Sequence, residues 1–202
     1  TNTQKKHSYN YVNQLALQWR PINGLTLMSE FSHRMTFSDE NRFYGPLTKV
    51  GTDNNKLPFA EITNKRNEAY TWTNTANYGF SLQDTHNFAF LLGQEITSSQ
   101  TRTNYQSSRY FPREIDSEKA LNNMGLGTPY QIESSLSTPE RTASFFGQAS
   151  YNYKHRYLAS ITMRADGSTK FAPGNQWGYF PSISGAWVLS EEPFMKKVKW
   201  IN

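Results

Sequence analysis

The feature of this sequence that most constrains its fold is an alternation of apolar and polar side chains that recurs over long stretches. A period of two is the repeat of a β-strand, whereas an amphipathic helix repeats every 3.6 residues. In the first stretch, residues 9–20, the odd-numbered positions are mostly apolar, whereas even-numbered positions carry polar residues such as Gln14 and Gln18. The apolar residues of this stretch are Tyr9, Tyr11, Leu15, Leu17 and Trp19. The pattern therefore predicts strands with one apolar and one polar face.

The connections between the predicted strands alternate between short and long. In chain order, the predicted turns and loops cover residues 21–24, 38–67, 83–85, 100–139, 154–155 and 167–178. Outer-membrane β-barrels keep this alternation, because short turns face the periplasm and long loops face outward. We therefore predict an all-β fold, an antiparallel transmembrane β-barrel segment of about seven or eight strands. Residues 38–67 and 100–139 would be its long extracellular loops, and the tight turns would be periplasmic.

Hydropathy excludes a membrane protein built from helices. The longest apolar run is residues 88–92, far shorter than the roughly 18 residues of a membrane helix, and the mean hydropathy is −0.74. Barrel strands need only about 9–11 alternating residues. The aromatic fraction of 15% fits interfacial girdles, although aromatic residues could equally fill the core of a soluble β protein. The polar second face favours a barrel with a wet or plugged lumen.

No motif for catalysis, a metal or a cofactor is present in the sequence. Cysteine is absent, the four histidines lie far apart, and no nucleophile elbow, phosphate loop or zinc-protease motif occurs. Carboxylates in and beside residues 100–139 could in number supply a glycosidase pair, but they lie among Lys and Arg and indicate a solvated surface. The 21 Lys and Arg are scattered along the chain, which argues against a nucleic-acid partner.

A specific motif series runs through the last third of the chain. Residues 144–158 (SFFGQASYNYKHRYL), 164–168 (RADGS) and 177–182 (WGYFPS) resemble, in this order, a signature region of SusC/RagA-like TonB-linked outer-membrane proteins. The similarity continues through residues 184–187, 189–191 and 194–195, and upstream through residues 70–74, 86–87 and 92–95. It covers about half of the chain, whereas residues 1–69 and 100–139 match only in pattern.

The resemblance implies that residues 1–202 are an internal segment of a large barrel, expected to have 22 strands, in a Bacteroidetes-type outer membrane. The family imports large nutrients actively, either glycans and oligosaccharides or oligopeptides, and is not enzymatic. Its expected partners are outer-membrane lipid, a SusD-like surface lipoprotein, and the TonB complex, which would be reached through N-terminal regions and a plug domain absent from this segment. A soluble secreted β-sandwich that binds carbohydrate is the alternative.

Aromatic residues in the predicted long loops are the candidates for contact with cargo or lipoprotein, because flat rings stack on sugars and pack on peptides. Packing within the loop itself is an equally good explanation for each of them. The candidates are Phe43, Tyr44, Tyr105, Tyr110, Phe111 and Tyr130.

Each predicted strand has a face expected to meet lipid and a face expected to meet the lumen. The predicted lipid-facing residues include Leu15, Leu17, Leu27, Phe31, Tyr78 and Ile161. The predicted lumen-facing residues include Gln14, Gln18, Glu30, Thr75, Asn77 and Thr162. Arg164 and Asp166 share the polar parity and could form an ion pair, and the Asp166-Gly167 pair predicts a turn at a strand end.

Overall fold

The computed structural model describes residues 2–195 and confirms the all-β prediction. Strand accounts for 68% of these residues and helix for 9%. The strands are β1 (Asn2–Trp19), β2 (Leu25–Tyr44), β3 (Phe59–Leu82), β4 (His86–Arg109), β5 (Thr128–Leu136), β6 (Glu140–Tyr153), β7 (Tyr157–Ser168) and β8 (Trp177–Trp187). Two short helices, α1 (Lys49–Asp53) and α2 (Ser117–Asn122), lie in the connections. Thr1 and residues 196–202 of the predicted 1–202 segment lie outside the described residues.

The eight strands belong to one antiparallel sheet. Its order is β1-β2-β3-β4-β6-β7-β8, and β5 pairs with β4 beside this path. A β-sandwich requires two sheets packed face to face, so the single sheet of residues 2–195 contradicts the sandwich alternative. Within the same residues, no helix has both the length and the apolar character needed to cross a bilayer.

The two long loops are shorter than predicted. Strand β2 continues to Tyr44 and β3 begins at Phe59, so only residues 45–58 of the predicted 38–67 loop connect strands. Within the predicted 100–139 loop, β4 continues to Arg109 and the unpredicted strand β5 follows. All nine residues of β5 are exposed. The outer parts of β2 and β4, residues 38–42 and 100–109, are largely polar on both faces and therefore escape a search for period-two hydropathy. In β5, Tyr130, Ile132 and Leu136 do alternate with polar residues, but only over nine residues.

The described chain clusters into two compact units. Unit 1 consists of residues 2–13, 33–69 and 99–139 and contains both long connections. Unit 2 consists of residues 14–32, 70–98 and 140–195 and contains the three tight turns. The long connections thus belong to unit 1 and the tight turns to unit 2, so the predicted long and short connections are sorted between the two units.

Unit 1 has a small apolar core beneath its long connections. It is formed by Phe43, Ala60, Phe111 and Ala120 and flanked by Ile115, Leu121 and Met124. The helices are capped locally: Thr48 accepts from the Gly51 N–H, and Asp116 accepts from the Lys119 N–H. These connections are therefore folded around a core, because their apolar residues have a place to be buried.

In unit 2, β6, β7 and β8 pair in continuous register. Ile161 pairs with Ala149 and Ile183, whereas the next residue, Thr162, pairs with Gln148 and Ser182. Residues paired in register share a face of the sheet. The apolar face of these strands carries Phe145, Ala149, Tyr151, Tyr157, Ala159, Ile161, Met163, Tyr179, Ile183 and Trp187. Ile161 is 54% exposed and Ile183 is 80% exposed, so this apolar face is uncovered.

The turn between β1 and β2 packs closely against β3 at two glycines. The Gly24 carbonyl accepts a 2.9 Å hydrogen bond from the Gly79 N–H. Gly24 has φ +83°, and a Cβ added there would lie 2.2 Å from the Gly79 carbonyl oxygen. The tight turn therefore requires glycine for its backbone conformation and for this close approach.

We expect Gly24→Ala to destabilise the full-length protein, by at least about 1–2 kcal/mol from the left-handed backbone alone. The overlap with the Gly79 oxygen adds to that cost. The measurement is the urea midpoint of unfolding in liposomes. Gly125→Ala is the matched control, since an added Cβ there has no neighbour within 4 Å. Equal midpoints for the two variants would show that the turn tolerates a side chain.

Candidate functional site

A polar cluster in unit 1 is centred on the carboxylate of Glu61 in β3. Glu61 accepts hydrogen bonds from the Tyr105 hydroxyl at 2.9 Å and the Tyr44 hydroxyl at 3.1 Å. Arg42 Nη1 lies 3.4 Å from the same carboxylate, while its Nε and Nη2 bind Glu40 at 2.8 and 2.6 Å. We call Arg42, Tyr44, Glu61 and Tyr105 the Glu61 cluster. It unites residues from β2, β3 and β4 on one face.

The period of two explains why these side chains meet. Glu40, Arg42 and Tyr44 are two residues apart along β2 and therefore point to the same side of the sheet. Strands β2 and β4 contain 20 and 24 residues, about twice the 9–11 that a tilted membrane crossing needs. The cluster lies where these strands approach the long connections, beyond the number of residues that one tilted crossing would need.

Burial raises the pKa of both tyrosines of the cluster. Burial raises the pKa of Tyr44 above its ordinary value, and the negative charge of Glu61 raises that pKa further. Burial is also the main cause of the raised pKa of Tyr105. The hydrogen bond from Arg42 lowers the pKa of Glu40. At neutral pH the tyrosines therefore keep their protons and donate to Glu61, and Glu40 stays ionised beside Arg42.

An aromatic surface continues from this cluster. The Phe59 ring lies 6.0 Å from the Tyr44 ring and 6.3 Å from the Tyr130 ring, measured between centroids. The Arg109 guanidinium lies 4.3 Å from the Tyr130 centroid and 4.7 Å from the Tyr110 centroid. We call Phe59, Arg109, Tyr110 and Tyr130 the aromatic platform. Four of the six predicted aromatic candidates therefore occupy the cluster or the platform.

The other two candidates, Phe43 and Phe111, lie in the core of unit 1. Phe43 is 3% exposed and Phe111 is fully buried. Phe43 precedes Tyr44 in β2 and so points to the opposite face, and the Phe111 N–H donates to the Pro58 carbonyl at 3.4 Å. Their rings hold the long connections together and present no surface to a ligand.

Sequence reasoning missed four residues of this surface: Arg42, Phe59, Glu61 and Arg109. A charged residue in a predicted loop carries no sign that its partner lies 17 or 44 residues away in sequence, as for Glu61 with Tyr44 and Tyr105. The available signal was the spacing of Glu40, Arg42 and Tyr44: residues two apart share one face of a strand, even where the opposite face is not apolar.

A second polar group lies on the polar face of unit 2. The Arg164 Nε donates to both carboxylate oxygens of Asp166, at 2.8 and 2.9 Å, and its Nη2 donates to Ser144 at 3.2 Å. The predicted ion pair is therefore confirmed. The predicted turn at Asp166-Gly167 is wrong, because both residues lie within β7. Gly167 instead accommodates the Trp177 indole, which lies 2.9 Å from the position of an added Cβ.

Comparison with known proteins shows related sequences and a related fold. No protein-family model matches the chain. TonB-dependent receptor P26 of Formosa agariphila is 28% identical over 200 residues, which is 96% of this chain and 20% of that protein. TonB-dependent receptor SusC of Bacteroides thetaiotaomicron is 41% identical over 70 residues, which is 35% of this chain and 7% of that protein.

The solved structure of the RagAB peptide transporter has the same fold over this segment. The TM-score is 0.78 at 23% identity, and the match covers 96% of this chain and 21% of the transporter chain. A second RagAB structure, of the closed-closed state, gives a TM-score of 0.74 at 22% identity. This chain thus spans about a fifth of the length of the receptor P26 and of the transporter chain.

Proposed function

Because this chain belongs to the SusC/RagA-like family of TonB-dependent receptors in the Bacteroidetes outer membrane, we propose that its sheet forms part of the barrel wall of an active importer. The related proteins are receptors and transporters and not enzymes, as predicted. The proposed cargo is a nutrient too large for passive pores, either a glycan or oligosaccharide, or an oligopeptide of the kind named for RagAB.

The observation that carries this proposal is the division of β6, β7 and β8 into an exposed apolar face and a polar face. A soluble protein buries large apolar residues, whereas a barrel wall turns them toward lipid. Ile161 and Ile183 would meet lipid, and the Arg164–Asp166 pair would meet the lumen. The absence of a second covering sheet in residues 2–195 fits the same arrangement.

The Glu61 cluster and the aromatic platform are the proposed surface for cargo. They combine hydroxyl groups, charges and flat rings, which can bind the hydroxyls and ring faces of sugars or the backbone and side chains of peptides. Their place next to the long connections is the end of the sheet that a SusD-like lipoprotein would cover in the proposed topology. Energy for import would come from the TonB complex, acting through parts of the receptor beyond this segment.

The test is uptake by a strain that lacks the native receptor and carries the full-length variant. Replacing Tyr44 and Tyr105 together by Ala should lower uptake of fluorescent oligosaccharides or oligopeptides by about 3-fold to 10-fold, the loss expected for one aromatic contact. Membrane assembly should be unaffected, because loops and strand ends carry binding while the strands carry the fold.

Tyr9→Ala is the control. Asn10 hydrogen-bonds Thr36, which lies on the same face of β2 as Arg42 and Tyr44, so the neighbouring residue Tyr9 points to the face opposite the Glu61 cluster. Epitope tags check the topology in the same cells: antibody should reach a tag after Leu47 but not one after Lys154. Wild-type cells that take up no oligosaccharide or oligopeptide better than the deletion strain would refute the import proposal. Reversed tag accessibility would refute the placement of the binding surface.

A further inference from the structure

Two local irregularities of unit 1 converge on the side chain of Arg109. In the β4–β5 pairing, Ser107 pairs with Gln131 and Ser108 with Pro129, which leaves Tyr130 as a bulged residue. Tyr110 has φ +60°, a conformation that costs free energy for an aromatic residue. Bulges re-aim side chains. The bulge and the strained residue together place the Tyr130 and Tyr110 rings against the Arg109 guanidinium.

The charge of Arg109 has no partner among the described residues. Its guanidinium forms neither a hydrogen bond nor an ion pair there, and its Nε is buried without a partner. Two other arginines of the same unit, Arg42 and Arg66, each bind a glutamate. The carboxylate of Glu61, on the adjacent strand β3, is held by Tyr44, Tyr105 and Arg42. Arg109 is therefore a positioned cation whose hydrogen-bonding capacity is unused.

We infer that Arg109, in contact with the Tyr110 and Tyr130 rings, is a subsite for a carboxylate group on the cargo. This inference rests on the import function proposed above and specifies the chemistry of the cargo. The Tyr110 and Tyr130 rings lie against the guanidinium and its Nε is buried, so a ligand must approach the edge formed by the two Nη groups. A carboxylate has two oxygens in one plane and accepts two parallel N–H bonds from such an edge.

The platform also provides a surface beside the charge. Tyr130 is 55% exposed, and its ring contacts Phe59, which in turn contacts Tyr44 of the Glu61 cluster. A chain bound through its carboxylate at Arg109 could therefore lie along Tyr130 and Phe59. An acidic oligopeptide and an oligosaccharide of uronic acids both carry the required group, and the experiment below distinguishes them.

The experiment measures binding to the purified full-length receptor in detergent by isothermal titration calorimetry. Each probe is paired with a neutral analogue: an oligoalanine with a free C-terminus against its C-terminal amide, and an oligogalacturonate against its methyl ester. We expect the wild-type receptor to prefer the acid in at least one pair. Arg109→Gln should weaken binding of that acid by about 10-fold to 100-fold, the range for a bond between charged groups, and leave its neutral analogue unchanged.

Arg113→Gln is the matched control, because Arg113 is an exposed arginine of the same unit and the substitution removes the same charge. Arg109→Lys should recover only part of the affinity, since an ammonium cannot form the paired bond. The inference is overturned if the wild-type receptor shows no preference for an acid, if Arg113→Gln has the same effect, or if Arg109→Gln weakens both members of a pair equally. Normal uptake in cells together with any of these results would leave the import proposal standing.

Discussion

Replacing Ile161 by Arg in the full-length receptor should destabilise the folded barrel by about 2–4 kcal/mol, provided that the residue lies near the membrane midplane. Ile161 is more than half exposed, and its register partners on the same face are Ala149 and Ile183. Neither partner offers a hydrogen-bonding group or a negative charge to a guanidinium. In lipid, the charge would have to be desolvated or reach toward the interface, and both responses cost free energy. The measurement is equilibrium unfolding by denaturant in liposomes.

Thr162→Arg is the matched control for this substitution. Thr162 is the next residue of β7 and pairs with Gln148 and Ser182 on the polar face. If that face meets a wet lumen, an added arginine there stays hydrated and should change stability by less than about 1 kcal/mol. Similar losses for the two variants, or a larger loss for Thr162→Arg, would show that the lipid-facing and lumen-facing parities are assigned incorrectly.

The second large effect is expected in the core of unit 1. Phe111→Ala removes a fully buried ring and should cost about 3–5 kcal/mol of the stability of the long connections. The core there is small, since it consists of four buried residues with three partly buried ones against it. Losing one ring should therefore open the connection at residues 110–127. Limited proteolysis of the full-length receptor would detect this as rapid cleavage between these residues.

Barrel assembly should survive Phe111→Ala, because β6, β7 and β8 belong to unit 2 and make their pairings independently of this core. Leu47→Ala is the control: Leu47 lies in the other long connection of unit 1 and is 87% exposed, so its loss should leave cleavage unchanged. If Phe111→Ala and the wild-type receptor were cleaved at the same rate, the long connections would not depend on this core.

The candidate surface was predicted only in part, because its aromatic residues stand out in polar stretches of the sequence whereas its charged residues do not. Aromatic residues in polar stretches are conspicuous, so Tyr44, Tyr105, Tyr110 and Tyr130 could be named. Phe43 and Phe111 are conspicuous for the same reason, yet the structure buries them. Composition identifies a ring that needs a partner, but whether that partner is a core or a ligand depends on which side of the backbone the ring occupies.

The sequence by itself determined the strands of unit 2 and their faces. In residues 140–168 one parity is apolar and the other polar, and this period of two specifies strand, register and face together. The tight turn at residues 154–156 followed from the same pattern. The family resemblance was also carried there, since its motifs combine the alternation with residues such as Gly167 that the pairing requires.

Only the tertiary structure decided the arrangement of unit 1. The outer ends of β2 and β4 are largely polar on both faces and the apolar alternation of β5 is short, so hydropathy revealed neither the ends of β2, β3 and β4 nor the existence of β5. The partners of Glu61 come from strands 17 and 44 residues away, and Arg109 is positioned by a bulge and by one strained residue. Such contacts form only when segments distant in sequence pair with each other, and the local propensity of each residue is too weak to indicate that pairing. No single stretch of sequence therefore contains them.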